Sequence, residues 1–575
     1  MNVLLVAVNS KYIHSNLAIK YLKRYTKDIN YKCDTAEFSI NDNIERIVEE
    51  IMCKKPRMLG FSCYIWNIEY IVKISNLIKT IDSSIEIFFG GPEVSYDGKS
   101  FLIENEGDYV IEGEGEVTYK EFIEKKLEEE KGNTIDYSKI KGLYSKKNKE
   151  ILYGGKRELM DMNDIVFPYE DDEDLENKIV YYEASRGCPF NCKYCLSSTF
   201  HGVRFLHIER VKKDLKYFID KKVRLVKFVD RTFNCNENFA NEIWNYLIEN
   251  SADTKFHFEI SADLLREQSI KTLSKAKKGL FQFEVGVQTT NDEVLKNINR
   301  HVNFSKIKEK VEELQKLKNI MQHLDLIAGL PGEDFNSFKK SFNDVYEIGP
   351  DELQLGFLKL LKGSSMRDEA EKWGMKYSNY PPYEILKTKD ISYEELIRLK
   401  HIEHMVDKYL NSGKFSNIIN YFIESGEFEN PFDFYEKLSV FYKEKGYFDR
   451  KISSKDYYKV FLEFNSEFLG RNNKLLNDII KFDYLVYNKK RGIPTFLERE
   501  NDKSVERSIK DILMKENIIS SFNEIHIEFF NYNLKKYFQN REIVEERFYC
   551  GFYNEQEKVI LDINVIICDK ICTNS

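Results

Sequence analysis

Residues 179–195 read Ile179-Val-Tyr-Tyr-Glu-Ala184-Ser-Arg-Gly187-Cys188-Pro-Phe-Asn-Cys192-Lys-Tyr-Cys195. A β-branched and aromatic run ends in Ser-Arg-Gly and opens directly onto three cysteines, so the loop that carries them leaves the end of a strand. Thiolates are the usual ligands of iron–sulfur clusters. CxxxCxxC spacing serves three irons of a cubane and leaves the fourth open to a chelating small molecule. The chain has ten Cys in 575 residues, and three of them fall within this one loop. A zinc site is the rival reading. It requires a fourth Cys or His, usually in a two-plus-two pairing, and the nearest candidate, His201, offers none.

The length of 575 residues exceeds what one core usually organises and points to about three domains. A hydrophobic share of 42% with 14% aromatics supplies the apolar surface for such cores. No run approaches the roughly 20 apolar residues of a membrane span. The start, Met1-Asn-Val-Leu-Leu-Val-Ala-Val8, lacks a basic leader and cleavage signal. A cytoplasmic protein is expected, which also suits Cys usage outside a disulfide framework. Net charge is −8 with Lys and Arg dispersed, so no basic field marks a nucleic-acid partner.

Residues 1–125 alternate strands (3–8, 58–62, 85–89, 109–111) with helical stretches such as 17–25, the pattern of a doubly wound parallel sheet. Ligands in such sheets sit at the strand carboxyl ends. Those ends read Asn9 to Ser15, Ser62-Cys-Tyr64, Gly90-Gly91-Pro-Glu93 and Glu112-Gly113-Glu-Gly115-Glu116. The glycines suit either close approach of a bulky ligand or ordinary tight turns. Residues 126–175 are strongly charged and read as a solvated helix end and surface linker.

Over 176–385, strands at 179–184, 225–229, 256–260, 282–287, 323–328 and 353–358 alternate with helices such as 237–249 and 304–318. Six such units make a partial (βα)6 barrel, with its chemistry at the strand carboxyl ends. Residues 386–575 form a separate, mostly helical domain with terminal strands at 524–530 and 559–565. Cys568 and Cys572 read as an incidental pair, since a site needs more ligands. The fold class is therefore α/β with a helical C-terminal domain.

The strand followed by CxxxCxxC with Tyr194 before the last Cys resembles the radical S-adenosylmethionine (SAM) enzymes. With Gly90-Gly91-Pro92 and Gly113-Glu-Gly-Glu116 upstream, the chain resembles the cobalamin (B12)-dependent members of that family. Leu358-Lys-Leu-Leu-Lys-Gly363 and Asn411-Ser-Gly-Lys-Phe415 resemble a subgroup with an uncharacterised C-terminal domain. This resemblance implies a [4Fe-4S] cluster on Cys188, Cys192 and Cys195, with Tyr194 in the cofactor loop. Ser62, Gly90, Gly91, Gly113 and Gly115 would border cobalamin. Asp230, Glu259, Ser261, Gln288, Arg300, Gly329 and Pro331 would border SAM: Asp230 toward its amino group, Gln288 near its ribose, Arg300 on its carboxylate and Gly329 to Pro331 on adenine. The DxHxxG motif that supplies a histidine to cobalt is absent, and His14 lacks its flanking residues, so cobalamin without a histidine ligand is expected.

Reductive SAM cleavage would generate a 5′-deoxyadenosyl radical, and methylation of an unactivated carbon is the default outcome. Rearrangement or cyclisation without methyl transfer is the alternative. A reductant such as flavodoxin or ferredoxin is implied as partner, while the small-molecule or peptide substrate and the catalytic residues stay unassigned. Two rivals remain. A radical methylthiotransferase would need a second cluster, for which Cys33, Cys53 and Cys63 are available but badly placed. A corrinoid-binding sensor would cleave no SAM.

Overall fold

The computed structural model describes residues 1–575 apart from 148–149, 177, 200–201, 489–491, 498–501, 555–557, 562 and 564–575. His201, Cys568, Cys572 and the end of the 559–565 segment thus lie outside the described residues. The chain divides into two compact units, one of Met1–Pro350 with Leu355–Leu396 and the other of Asp351–Gln354 with Ile397–Ser575.

Two mainly parallel sheets organise residues 2–357. β1 (Asn2–Asn9), β2 (Lys32–Ser39), β3 (Met58–Ser62), β4 (Glu86–Gly90), β5 (Tyr109–Ile111), β6 (Leu143–Lys147) and β7 (Glu150–Tyr153) form one sheet in the order β2-β1-β3-β4-β5-β6-β7. The first five strands are parallel. Val3 to Val8 are all buried, because helices cover both faces of the sheet. Leu4, Val6 and Val8 pack into one core and Val3, Leu5 and Ala7 into the other. The helix Leu17–Tyr25 falls where the sequence places it, capped by the Asn16 side chain, which accepts from Ile19 N.

Two expectations need correction here. The span 126–175 is not a plain linker: the helix Gly115–Glu130 runs into it, and β6 and β7 extend the sheet by antiparallel pairing onto β5. The strand β2 was also hidden. Its sequence Lys-Cys-Asp-Thr-Ala-Glu-Phe-Ser is largely polar because it is an edge strand, buried fully only at Phe38 and Ser39.

The second sheet contains β8 (Ile179–Tyr182), β11 (Leu225–Phe228), β12 (Lys255–Ile260), β13 (Phe281–Gln288), β14 (Met321–Ala328) and β15 (Glu352–Phe357), in the order β15-β14-β13-β12-β11-β8. This is the predicted six-stranded barrel, with strands paired in chain order. Between β8 and β11 lies an antiparallel hairpin, β9 (Ser185–Cys188) with β10 (Gly202–Phe205). One face of each strand is wholly buried under helices, as with Phe256 and Phe258, or Phe281, Phe283 and Val285. The alternate positions Lys227, Glu259, Gln282, Glu284, His323 and Asp325 stay partly accessible, so they line an open lumen and not a filled core. A small hairpin, β16 (Lys376–Tyr377) with β17 (Ile385–Lys387), follows.

The second unit is mainly helical. Helices Ser416–Glu424, Pro431–Glu444, Asp456–Glu463, Lys474–Tyr487 and Lys503–Lys515 precede the antiparallel β18 (Ile525–Tyr532), β19 (Glu545–Tyr553) and β20 (Val559–Ile560). The helix Lys474–Tyr487 grips β18: Lys481 Nζ donates to Phe529 O at 2.6 Å, and Asp478 accepts from Asn531 N at 2.6 Å. Among the described residues no helix is long and apolar enough to cross a membrane.

Candidate active site

The cysteine loop is held from three directions. Its base is the β9–β10 hairpin, in which Cys188 pairs with Gly202. Its centre is pinned by Lys193, whose N–H donates to Ile298 O at 3.0 Å and whose carbonyl accepts from Met366 N at 2.9 Å. Asn299 donates to Asn191 O at 2.9 Å, and Lys193 pairs with Glu369 at 2.8 Å. Cys188 Sγ lies 3.5 Å from Thr232 Oγ1, while Cys192 Sγ accepts from Arg300 at 3.6 Å. Cys192 is buried, which pushes its thiol up, and the Arg300 guanidinium opposes this. All three cysteines are free thiols. Among the described residues no three His, Cys, Asp or Glu side chains close on a single ion. Three free thiols on one pinned loop suit a cluster, three of whose irons take one each.

Around the loop, several predicted SAM contacts converge. Arg300 donates to Gly286 O and, at 3.4 Å, to Tyr194 Oη, and its Nε has no partner. Gln288 sits at φ 71° with Oε1 buried and unpaired. A left-handed conformation at a non-glycine residue is costly and is kept where the surroundings demand it. Glu259 faces the lumen, where burial pushes its carboxyl up and Arg231 opposes this. These unsatisfied polar atoms fit a polar ligand at the strand ends.

Four other residues of the predicted SAM set have partners within the protein. Asp230 accepts from Ala184 N at 3.0 Å and Ser185 Oγ at 2.5 Å. Its carboxyl thus buttresses the turn into the hairpin, and Thr232 is the residue of its segment beside Cys188. Ser261 is locked by Asn234, whose amide donates to Ser261 O at 2.8 Å, and its hydroxyl donates to Asp263. The face of Gly329 on which a Cβ would stand is taken by Ile385, 2.8 Å from that position. Pro331 is buried and its carbonyl accepts from Asn297 at 3.0 Å.

At the carboxyl edge of the first sheet, Ser62 Oγ is buried and unpaired. Gly91, at φ 111°, lets the chain pass Cys63 so closely that a Cβ would lie 2.5 Å from Cys63 O. Ser95 Oγ donates to Gly91 O at 2.8 Å and accepts from Gly113 N at 3.1 Å, tying the two glycine turns together. Gly113 has nothing within 4 Å of where a Cβ would stand, and a Cβ on Gly90 or Gly115 would meet only ordinary contacts. Tyr12, 74% exposed, and Trp66, 44% exposed, stand at the same edge, with Trp66 stacked on Tyr64 at 4.5 Å. Open glycine turns, an orphaned hydroxyl and uncovered aromatic rings fit a large, partly apolar ligand. His14 Nδ1 is 2.6 Å from Tyr181 Oη, so one ring nitrogen is already engaged by the barrel.

The cysteines of the methylthiotransferase alternative do not meet. Cys33 packs in the core on one face of the sheet and Cys63 in the core on the other, while Cys53 is exposed.

Residues 3–123 match the family described as B12 binding domain, 182–345 match the Radical SAM superfamily, and 371–552 match a family described as protein of unknown function, DUF4080. The chain carries a B12-binding domain and a radical SAM domain. The chain is 24% identical over 349 residues to the cobalamin-dependent radical SAM methyltransferase TokK of Streptomyces tokunonensis, covering 56% of this chain and 50% of TokK. It thus spans about half the length of the relatives it matches. In fold it resembles the radical SAM methyltransferase TsrM of Kitasatospora setae (TM-score 0.54, 14% identity, 67% of this chain and 79% of that one). It also resembles the cobalamin-dependent SAM radical enzyme OxsB (TM-score 0.52, 16% identity, 90% of this chain and 75% of that one).

Sequence reasoning missed several polar residues. Arg186 and Arg204 on the hairpin bind the glutamates of the Gly113 turn, a pairing with no local signal. In the lumen, His257 and Lys227 lie 3.2 and 3.3 Å from Glu284, and the His257 hydrogen bond holds that carboxyl down at about 2. Glu333, 1% exposed, accepts from Thr289 Oγ1 at 2.6 Å, and burial pushes it up to about 8.

Glu333 and Asp230, the latter pushed by burial to about 7, give a signed pH dependence. A carboxyl raised in the fold stabilises most below its ordinary value, and that stability is lost as pH rises toward the folded value. Each group therefore costs up to about 1.4 kcal/mol per pH unit on the way from its ordinary value to about 7 or 8. Glu284, depressed, loses stability only below its ordinary range and leaves this window flat. Denaturation midpoints at pH 5 to 8 should fall with pH in the wild type and less in Glu333→Gln. Parallel curves would show that Glu333 is ionised in the fold.

Proposed function

We propose that this protein binds a [4Fe-4S] cluster on Cys188, Cys192 and Cys195, cleaves SAM reductively and methylates an unactivated carbon with cobalamin. The observation that carries this reading is one compact unit holding both the thiol loop at a barrel mouth and the glycine edge of a B12-binding sheet. Tyr96 of that edge reaches Thr199 beside the thiol loop at 3.0 Å. Together the bound groups would supply one-electron cleavage of SAM and a transferable methyl group. The chain's own contribution is to hold, orient and exclude water. Arg300 and Gln288 offer their unpaired atoms to the SAM carboxylate and ribose. Glu259 would border SAM, and Asp325, inside the lumen, would meet the substrate. The divisions 176–385 and 386–575 belong to the same proposal, with the C-terminal domain in an accessory role and a flavodoxin or ferredoxin as reductant.

The test is anaerobic reconstitution with iron, sulfide and hydroxocobalamin, followed by SAM and a strong reductant. Both 5′-deoxyadenosine and S-adenosylhomocysteine are expected. The first without the second would favour non-methylating radical chemistry, and neither would leave a corrinoid-binding sensor.

Gly113→Val should separate the cobalamin site from the rest. A Cβ there meets nothing within 4 Å, and the left-handed backbone costs about 1 to 2 kcal/mol. Stoichiometric cobalamin uptake should fall at least tenfold, an allowance of about 1.4 kcal/mol of lost binding, with iron content unchanged. Full cobalamin uptake would remove Gly113 from the site. His14→Ala should leave uptake intact, and an imidazole nitrogen coupling in the cob(II)alamin EPR spectrum of the wild type would refute the absence of a histidine ligand.

A further inference from the structure

The cluster hairpin places Arg186 on β9 directly opposite Arg204 on β10. Like charges at opposed positions repel, so this hairpin draws on anions from elsewhere. They come from the turn after β5. Arg186 Nη2 bonds Glu116 at 2.6 Å and Nη1 lies 3.7 Å from Glu114, while its Nε bonds Glu183 at 2.9 Å. Arg204 bonds Glu114 at 3.1 Å through one nitrogen and again through the other, and donates to Met160 O at 2.6 Å. The cage is secluded, with the Arg186 side chain 13% and Glu116 6% exposed, and the Tyr21 ring lies 5.5 Å from the guanidinium. In such a place a charge without its partner is strongly penalised.

The geometry leaves little slack between this cage and the cysteines. Only Gly187 separates Arg186 from Cys188, and it is held at φ 104° against Gly202. On the other side, Gly113 and the caged Glu114 are neighbours, and Gly113 N is tied through Ser95 to Gly91. The glutamates of the turn are thus occupied by the hairpin, while its glycines remain open.

We propose that Glu114 and Glu116 are positioning residues that act through Arg186 and Arg204 to fix the cluster hairpin, so that occupancy of the glycine turn and loading of the cysteine loop are energetically linked. This rests on the proposed cofactor reading, in which the turn borders cobalamin and Cys188 binds the cluster. Linkage is reciprocal: whatever the cluster does to cobalamin affinity, cobalamin does to the cluster.

Two readouts on the full-length protein test it without turnover. Hydroxocobalamin affinity is titrated by visible absorption in cluster-free and cluster-loaded protein, and amide exchange over 185–188 and 202–205 is followed in cluster-free protein with and without hydroxocobalamin. The wild type should bind about tenfold more tightly when the cluster is loaded, within the usual span of coupling, and its hairpin should exchange more slowly with cobalamin bound. Glu116→Gln should bring both effects to within about twofold while iron and cobalamin are still taken up, and Glu116→Asp should restore part of them. A wild type that takes up both groups with no effect of either on the other would overturn the linkage, needing no variant that might misfold. Unaltered coupling in Glu116→Gln would overturn the role of the cage. A wild type that takes up neither group would sink the cofactor reading first, and the linkage with it.

Discussion

Replacing Cys192 by alanine should abolish SAM cleavage and drop iron from about four per chain to below one. Cys188 and Cys195 sit partly open at the loop surface, whereas Cys192 is buried and its sulfur accepts from Arg300. Removing it takes away both a ligand and the sulfur acceptor that Arg300 faces. The fold should survive, since the loop is held by backbone bonds of Lys193 and by the β9–β10 pairing, none of which involves a thiol. Loss of one small buried side chain costs about 1 to 2 kcal/mol, as for other core truncations of this size. Cys235→Ala is the control. That thiol stands on the segment after β11, outside the CxxxCxxC loop, and burial pushes it up to about 11. Iron content should be unchanged in it. A Cys192→Ala protein that still yields 5′-deoxyadenosine at the wild-type rate would refute the cluster assignment.

How far the sequence could be read follows from where each residue finds its partners. The barrel was legible because its strands carry a physical contrast. Phe256 and Phe258 face helices while His257 and Glu259 face the lumen, and that alternation is local in the chain. The helix 17–25 was legible for the same reason, its signal lying within the segment itself. By contrast β2, β6 and β7 lie at or near the edge of their sheet, where one side is uncovered and no apolar run is needed. β19 was hidden likewise: its first residues, Glu545, Glu546 and Arg547, are exposed, and only its second half is buried.

The site divides along the same line. Thiol spacing and glycine turns are written in consecutive residues, so the cysteine loop and the glycine edge could be named. Roles set by distant partners could not. Asp230 stands in the predicted turn, yet the donors that claim it are 45 and 46 residues away at Ser185 and Ala184. Glu114 and Glu116 were recognised only as part of a motif, because the two arginines that occupy them belong to another strand pair. Gly329 was recognised as a turn, while the residue that fills its open face, Ile385, comes from a later hairpin.

Gly187→Ala should lose the cluster without altering any ligand to it. At φ 104° a residue with a side chain is strained by about 1 to 3 kcal/mol. A Cβ there would also lie 2.1 Å from the carbonyl oxygen of Gly202, a backbone atom that cannot rotate away. Relief requires parting β9 from β10, which breaks the pairing of Cys188 with Gly202 and draws Arg186 from its carboxylates. Gly202 provides the internal comparison. It too has a positive φ, 85°, but nothing lies within 4 Å of its Cβ position, so Gly202→Ala bears only the backbone strain. The expected order is therefore near-wild-type iron content in Gly202→Ala and little or none in Gly187→Ala, with both proteins folded by circular dichroism. Equal iron in the two variants would mean that the hairpin yields without disturbing the cysteines, and that its geometry is not what holds the three thiols in place.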